Sequence, residues 1–185
     1  MKKKYLIPVM PLRGGSVNGQ DGVKLAEFYS DNGADGILVL DLSETDGEHE
    51  RNIGVLKEIC RAAEIPVYAG GHIRRTEDVK KILYAGCRKA VLNFGRESNA
   101  EMAEEVSGRF GREKIAFSLS DESQFSRSMD EWGSLLFWSG SDSQCPYRGE
   151  LPVISISPAA SDEAVIDVLS YKWATGIAAA YFSTE

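Results

Sequence analysis

Apolar residues follow two alternating rhythms along this chain. Short runs that are nearly continuous in Val, Ile, Leu and Ala are separated by stretches in which apolar residues recur every three or four positions. The first rhythm predicts strands buried on both faces, and the second predicts amphipathic helices. The clearest unit is 65–93, IPVYAGGHIRRTEDVKKILYAGCRKAVLN. Ile65, Val67 and Ala69 predict a strand ending at Gly70-Gly71, where backbone can approach a ligand with no Cβ in the way. Thr76 is the expected cap of a helix with the stripe Val79, Ile82 and Leu83, and Gly86 is its expected stop. Ala90, Val91 and Leu92 then predict a strand that delivers Asn93 to the same edge. One such βαβ unit is ordinary architecture; its repetition along the chain is what carries information.

In order, the first strand is expected over 5–10, ending at Pro11. A polar loop, 13–20, leads to a helix with Val23, Leu25, Ala26 and Phe28 on its apolar side, closed by Asn32-Gly33. The second strand, 36–42, carries Asp41 at its end; an acidic loop, 43–48, precedes a helix bearing Ile53, Leu56, Ile59 and Cys60. Beyond the central unit, a helix from about Asn99 carries Met102, Ala103 and Val106 and stops at Phe110-Gly111. Strands follow at 114–119, 134–139, 152–157 and 176–182, with a short helix within 124–132 and a Ser161-capped helix bearing Ala164, Val165, Val168 and Leu169. Residues 140–149 are too few and too polar for a full crossover helix. Eight strands alternating with helices predict an α/β fold, a (β/α)8 TIM-type barrel, trimmed relative to the usual length of about 250 residues. The losses are the full sixth and eighth helices. Ile65-Pro66-Val67 recurs as Leu151-Pro152-Val153, and Thr76-Glu77-Asp78 as Ser161-Asp162-Glu163, at a spacing of about 86 residues. One domain of two half-barrels, about 1–98 and 99–185, accounts for that spacing.

Charge and composition narrow the functional classes. A net charge of −7 with no basic cluster argues against a nucleic-acid partner. Lys2-Lys3-Lys4 reads as a solvated terminus, and the apolar run behind it is broken by Pro8 and Pro11, so neither a signal peptide nor a membrane span is expected. Cys60, Cys87 and Cys145, with His49 and His72, follow no metal or disulfide spacing. Trp132, Trp138 and Trp173 read as core or rim packing. The expectation is a soluble cytoplasmic domain with no metal, no cofactor and no membrane partner.

A set of short motifs points further. Leu6-Ile7-Pro8 lies in the first strand, Gly33-Ala34-Asp35 precedes the second, Leu40-Asp41 ends it, and Asn52-Ile53 opens the next helix. Ile65-Pro66-Val67 with Gly70-Gly71 and Ile73-Arg74 continues the set, followed by Asp78, Leu83, Ala85-Gly86, Lys89 and Asn93. On these residues the chain resembles the histidine-biosynthesis barrels: the cyclase subunit of imidazole glycerol phosphate synthase and the phosphoribosylformimino-carboxamide ribotide isomerase. The resemblance covers nearly the whole chain, strongly over the first 115 residues and weakly over strands six to eight.

In that family a bisphosphate substrate bridges two phosphate sites, one from each half-barrel. The resemblance implies that Gly70, Gly71, Asn93, Phe94 and Gly95 form the first-half phosphate site, with Arg96 or Arg74 supplying charge. Either arginine reads equally well as a solvated helix-start residue. His72 stands where the family has a third glycine, and a side chain there would narrow or abolish the cradle. The family's cyclase carries one aspartate at the end of strand one and another at the end of strand five, acting as general acid and base. Here those positions are Pro11 and Ser120, with Asp121 one residue late, on the opposite face of the strand. Asp41 and Asp121 are the remaining catalytic candidates. The second-half phosphate loop is Ser157-Pro158-Ala159-Ala160, in which proline offers no N–H.

The resemblance with these departures implies a barrel that has lost its family's catalytic aspartates. It is most similar to the barrel-like N-terminal domain of bifunctional phosphoribosyl-AMP cyclohydrolase/phosphoribosyl-ATP pyrophosphohydrolase proteins, with Ser183-Thr184-Glu185 falling at a domain boundary. A strand eight without a covering helix would leave an apolar flank, for a downstream domain of the same chain or a second copy to cover. Two other readings stay open. One is a regulatory module that senses a phosphoribosyl ligand, a phosphorylated sugar or phosphate itself. The other is an active cyclase or isomerase on a phosphoribosyl substrate, using Asp41, Asp121 and His72.

Overall fold

A computed structural model describes residues 3–140, 144–157 and 161–179. The first half comprises β1 (Tyr5–Arg13), a two-residue β2 (Ser16–Val17), α1 (Gly22–Asp31), β3 (Ile37–Asp41), α2 (Asp46–Ala62), β4 (Val67–Gly70), α3 (Thr76–Tyr84) and β5 (Lys89–Asn93). The second comprises α4 (Glu97–Phe110), β6 (Ile115–Leu119), α5 (Ser128–Trp132), β7 (Leu136–Trp138), β8 (Val153–Ser157), α6 (Asp162–Ser170) and β9 (Gly176–Ala179). β1 and β3 to β9 pair in parallel in sequence order, and β9 pairs back onto β1 through Tyr5–Gly176 to Pro8–Ala179. The protein is a closed eight-stranded α/β barrel of the TIM type, as the alternation of runs predicts.

Strand periodicity divides the core in two. Ile7, Leu38, Val91, Ala116, Phe137, Ile154 and Ala178 point inward with Val9, Leu40, Tyr68 and Ile156, and fill the barrel with side chains. The alternate residues, among them Met10, Val39, Ala69, Leu92, Phe117 and Leu136, face the helices and meet Leu56, Ile59, Val79, Ile82, Met102 and Val106. Pro66 and Pro152 make corresponding bonds in the two halves: their carbonyls accept from the amides of Ile37 and Leu136 at 2.9 and 3.0 Å. Val67 and Val153 likewise accept from Arg88 and Thr175, each at 2.7 Å.

Several boundaries differ from the sequence expectation, each for a local reason. β1 does not end at Pro11 but runs to Arg13, because Leu12 and Arg13 pair with Val17 and Ser16 in a hairpin. The acidic stretch 43–48 is not all loop. Thr45 caps α2 by accepting from the Glu48 amide at 3.2 Å, while the Glu48 carboxylate reaches back to the Glu44 amide at 2.9 Å. Thr76 is the first residue of α3 rather than its cap; Asp78 Oδ2 instead accepts from the amides of Arg74 and Arg75 at 3.0 and 3.1 Å. α4 begins at Glu97, two residues before Asn99. The expected helix within 124–132 shrinks to α5, preceded by a single 3-10 turn, Glu122–Gln124. Residues 144–149 contain no helix, and 180–182 of the expected eighth strand lie outside the described residues.

The apolar flank expected at strand eight is covered over its described part. Ile177 and Ala179 are fully buried beneath Val165 and Val168 of α6, alongside Leu6. Truncating the core tests the packing most directly at Phe117, whose ring meets Phe94 edge-on at 4.9 Å and lies against Gly133. Phe117→Ala is expected to cost about 3–5 kcal/mol, read as a lower urea midpoint with an unchanged slope.

Candidate functional site

The C-terminal ends of the strands are where barrels of this type carry ligands. Continuing the inward-facing rows upward gives Pro11 on β1, Leu40 on β3, Gly70 on β4, Asn93 and Ser118 on β5 and β6, and Ile156 on β8. Ser120 and Ser139 follow on the same faces, just past β6 and β7. Arg13 extends the β1 row above the barrel, where its guanidinium pairs with the exposed Glu44 at 3.1 Å. No carboxylate or imidazole stands on these rows among the described residues.

Of the two aspartate candidates, Asp121 lies past the end of β6, and Asp41 lies on the face of β3 that meets the helices. Asp121, exposed, turns into its own loop and accepts from the Ser123 amide at 2.9 Å, a bond that holds its carboxyl below the usual range. Asp41 shares a face with Val39 and points into the layer between strands and helices. Its Oδ2 meets His49 Nδ1 at 2.6 Å, and its Oδ1 accepts from Asn52 Nδ2 at 2.7 Å and from the Ser43 amide at 2.9 Å. Burial pushes this carboxyl up, but the bonds from His49, Asn52 and Ser43 outweigh it, so its pKa lies below the ordinary value.

Around Asp41 the structure assembles a polar cluster that the sequence reading did not anticipate. His49, fully buried on α2, sits between Asp41 and Asp78, with Nε2 3.8 Å from Asp78 Oδ1; neither of these two atoms has a hydrogen-bond partner. His72 stacks on His49 with ring centroids 4.6 Å apart, and bonds the Ser43 carbonyl at 3.0 Å and Asp46 at 3.1 Å. Asp46, exposed, is held below the usual carboxyl range by the His72 bond. A cavity of about 10 Å³, water-sized, adjoins Asp41, His49 and Asn52. The signal was present in the chain: His49 and Asn52 occupy the same helical stripe as Leu56 and Ile59, and polar residues in a buried stripe need partners.

The expected phosphate residues are grouped at the β4 and β5 ends, but much of their hydrogen bonding is already taken. A Cβ on Gly70 would lie 2.7 Å from the Val91 carbonyl oxygen, and one on Gly71 would lie 2.1 Å from that of Asp41. Gly71, at φ +85°, and Gly70 are therefore required by the neighbouring strands themselves. The Gly95 amide donates to Asn93 Oδ1 at 3.0 Å, the Arg96 amide to the Asn93 carbonyl at 3.1 Å, and the Phe94 amide to Ser118 at 3.0 Å. The Gln124 amide group lies 2.8 Å from where a Gly95 Cβ would stand. Phe94 itself is buried against Phe117, and the Arg96 backbone caps α4. His72 does not fill the cradle: at φ +48° its ring turns away toward α2, and Arg74 is drawn the same way, 3.9 Å from Asp46.

A cleft of about 480 Å³ opens beside β6 and β7, lined by Ser120, Asp121, Glu122, Trp138, Gln144 and Pro146. Its two carboxylates, with no cation among these residues, oppose an anionic ligand. Among the described residues no cluster of His, Cys, Asp and Glu is placed to hold a metal ion, and no helix is long and apolar enough to cross a membrane.

Comparison with known proteins places this geometry in a family context. Residues 13–135 match the family described as histidine biosynthesis protein. The imidazole glycerol phosphate synthase subunit HisF of Helicobacter hepaticus is 32% identical over 126 residues, 63% of this chain and 50% of the relative. That of Halalkalibacterium halodurans is 29% identical over 142 residues, 71% of this chain and 56% of the relative. The chain spans about half the length of these relatives.

Asp41 offers a test of the polar cluster. Asp41→Asn is expected to lower stability at neutral pH by about 2 kcal/mol, the worth of hydrogen bonds to a partly buried charge. Because the folded pKa is depressed, the contribution is complete above the unfolded carboxyl value and is lost as pH falls through the folded one. The stability gap between wild type and variant in urea titrations should stay constant above about pH 5 and narrow below about pH 4.

Proposed function

The chain belongs to the histidine biosynthesis protein family, and within it we propose a barrel that has given up ring-closing chemistry and is retained as a non-catalytic domain. The observation that carries this reading is the composition of the inward-facing strand ends: Pro11, Leu40, Gly70, Asn93, Ser120, Ser139 and Ile156. Closing an imidazole ring on a phosphoribosyl substrate requires one group to deliver a proton and another to remove one, each within hydrogen-bond reach of the reacting atoms. Neither proline, leucine, glycine nor isoleucine can do so. Asparagine and serine do not titrate near neutral pH. Asp41 is committed to His49, Asn52 and Ser43 behind the strand, and Asp121 to its own turn.

The first-half phosphate site is similarly spent. Asn93 Oδ1 takes the Gly95 amide that an oxyanion would use, and the two glycines of β4 have a sufficient reason to exist in the backbone beside them. The parent protein in this reading is a bifunctional phosphoribosyl-AMP cyclohydrolase/phosphoribosyl-ATP pyrophosphohydrolase, whose hydrolytic modules follow the barrel. Reading the coding sequence past codon 185 tests that assignment; a stop codon there overturns it.

The loss of chemistry is tested on the purified chain. Incubated at high concentration with the bisphosphorylated cyclase substrate and ammonia, it is expected to give no turnover. Inorganic phosphate and ribose 5-phosphate are expected to leave the thermal midpoint unmoved, whereas a ligand at 100 times its Kd would add about 2.7 kcal/mol. A midpoint shift without turnover, lost in Asn93→Ala, would replace this reading with a ligand-sensing module. Turnover abolished by Asp41→Asn would replace it with an active enzyme.

A further inference from the structure

Outside the barrel mouth, two thiols face each other across the helix layer. Cys60, in the last turn of α2, and Cys87, between α3 and β5, have their sulfurs 3.6 Å apart. Cys87 is buried, and Cys60 is half-buried. The contact is built by its surroundings. Gly86, at φ +112°, ends α3 so that a Cβ there would stand 3.0 Å from Cys60 Cβ, and a larger residue would press on the thiol. Cys87 is then held by its amide on the Ile82 carbonyl at 3.4 Å, and by the Arg88 amide on the Val67 carbonyl at 2.7 Å.

We propose that Cys60 and Cys87 form a redox modification site that reduces a small peroxide and closes to a disulfide. The Cys60 thiolate attacks one peroxide oxygen, the O–O bond breaks, and the alcohol or water leaves with a proton, giving a sulfenic acid on Cys60. The Cys87 sulfur then attacks the Cys60 sulfur, the S–O bond breaks and water departs with the Cys87 proton. Two thiols are oxidised by two electrons, and one peroxide is reduced. The roles follow from the environment. Hydrogen bonding from Cys87 pulls the Cys60 thiol below its usual range, while the same contact and burial push Cys87 well above it. Cys60 is also the more exposed of the two, as the attacking thiolate must be. Cys145, the third cysteine, is buried with its thiol pushed up by that burial, and serves as an internal control. The crosslink would close a 27-residue separation that holds β4, the Gly70-Gly71-His72 turn and α3, tying α2 to the entrance of β5.

The test treats the native chain with a small excess of hydrogen peroxide, alkylates the remaining thiols and maps peptides without reduction. The expected result is an intact mass lower by two hydrogens before alkylation, a single Cys60–Cys87 link, an alkylated Cys145, and a raised thermal midpoint that a dithiol reductant reverses. In Cys87→Ser the reaction should stop at a Cys60 sulfenic acid, trapped by dimedone. Oxidation of Cys145 ahead of the pair, a link between chains, or over-oxidation of Cys60 in the wild type without a link would each overturn the proposal. The wild-type map decides the matter even if the variant fails to fold.

Discussion

In a closed parallel barrel, each strand side chain has two destinations, the lumen or the helix layer, and they alternate strictly along the strand. Closure of β9 onto β1 removes the freedom to slip, so every strand is locked into one register. The rest of this molecule follows from that constraint. Leu38, Tyr68, Phe137 and Ile154 fill the lumen, while Val39, Ala69, Leu136 and Val153 carry the helices. The same parity decides the chemistry at the mouth. Asp41 follows the lumen residue Leu40, so it faces the helix layer. A strand carboxylate one residue out of step with the lumen stands on the other side of the sheet.

What Asp41 does there has its own physics. Asp41, partly withdrawn from water, would be costly alone, and His49, Asn52 and the Ser43 amide satisfy it. The cluster extends to His72, whose left-handed backbone is unfavourable for a residue with a Cβ and is held by ring stacking and two hydrogen bonds. The result bolts the end of β3, the start of α2 and the β4 turn together. Asp78 completes it from α3, facing His49 Nε2 while its other oxygen caps its own helix.

The fold was legible because buried parallel strands are written as continuous apolar runs, as in residues 36–42, and because glycine stops such as Gly86 and Gly111 punctuate the helices between them. Boundaries were less legible where two signals competed. Pro11 reads as a terminator, yet a hairpin to Ser16 and Val17 carries β1 past it. The acidic 43–48 stretch reads as solvated loop, although Thr45 with Glu48 is the reciprocal capping pattern and acidic residues suit a first helical turn. Of the site, the placement of Gly70-Gly71 at the end of β4 followed from the sequence pattern. The partners of Asp41 did not, since they lie eight and eleven residues away on a helix whose rotation the sequence pattern reveals only through its buried stripe.

The glycines at 70 and 71 have a duty in the backbone that is independent of any ligand. In a phosphate-binding turn, glycine is needed because backbone must reach the anion; here it is also needed because backbone must reach backbone, at Val91 and at Asp41. A substitution at either position would break the packing of β4 against its neighbours whether or not any anion binds. Folding alone is therefore sufficient to keep them. Asn93 at the same edge has a structural duty too, since its Oδ1 accepts from the Gly95 amide. In this chain Gly70 and Gly71 are fixed by that packing, and Pro11 and Ser120 stand on the lumen rows of β1 and β6.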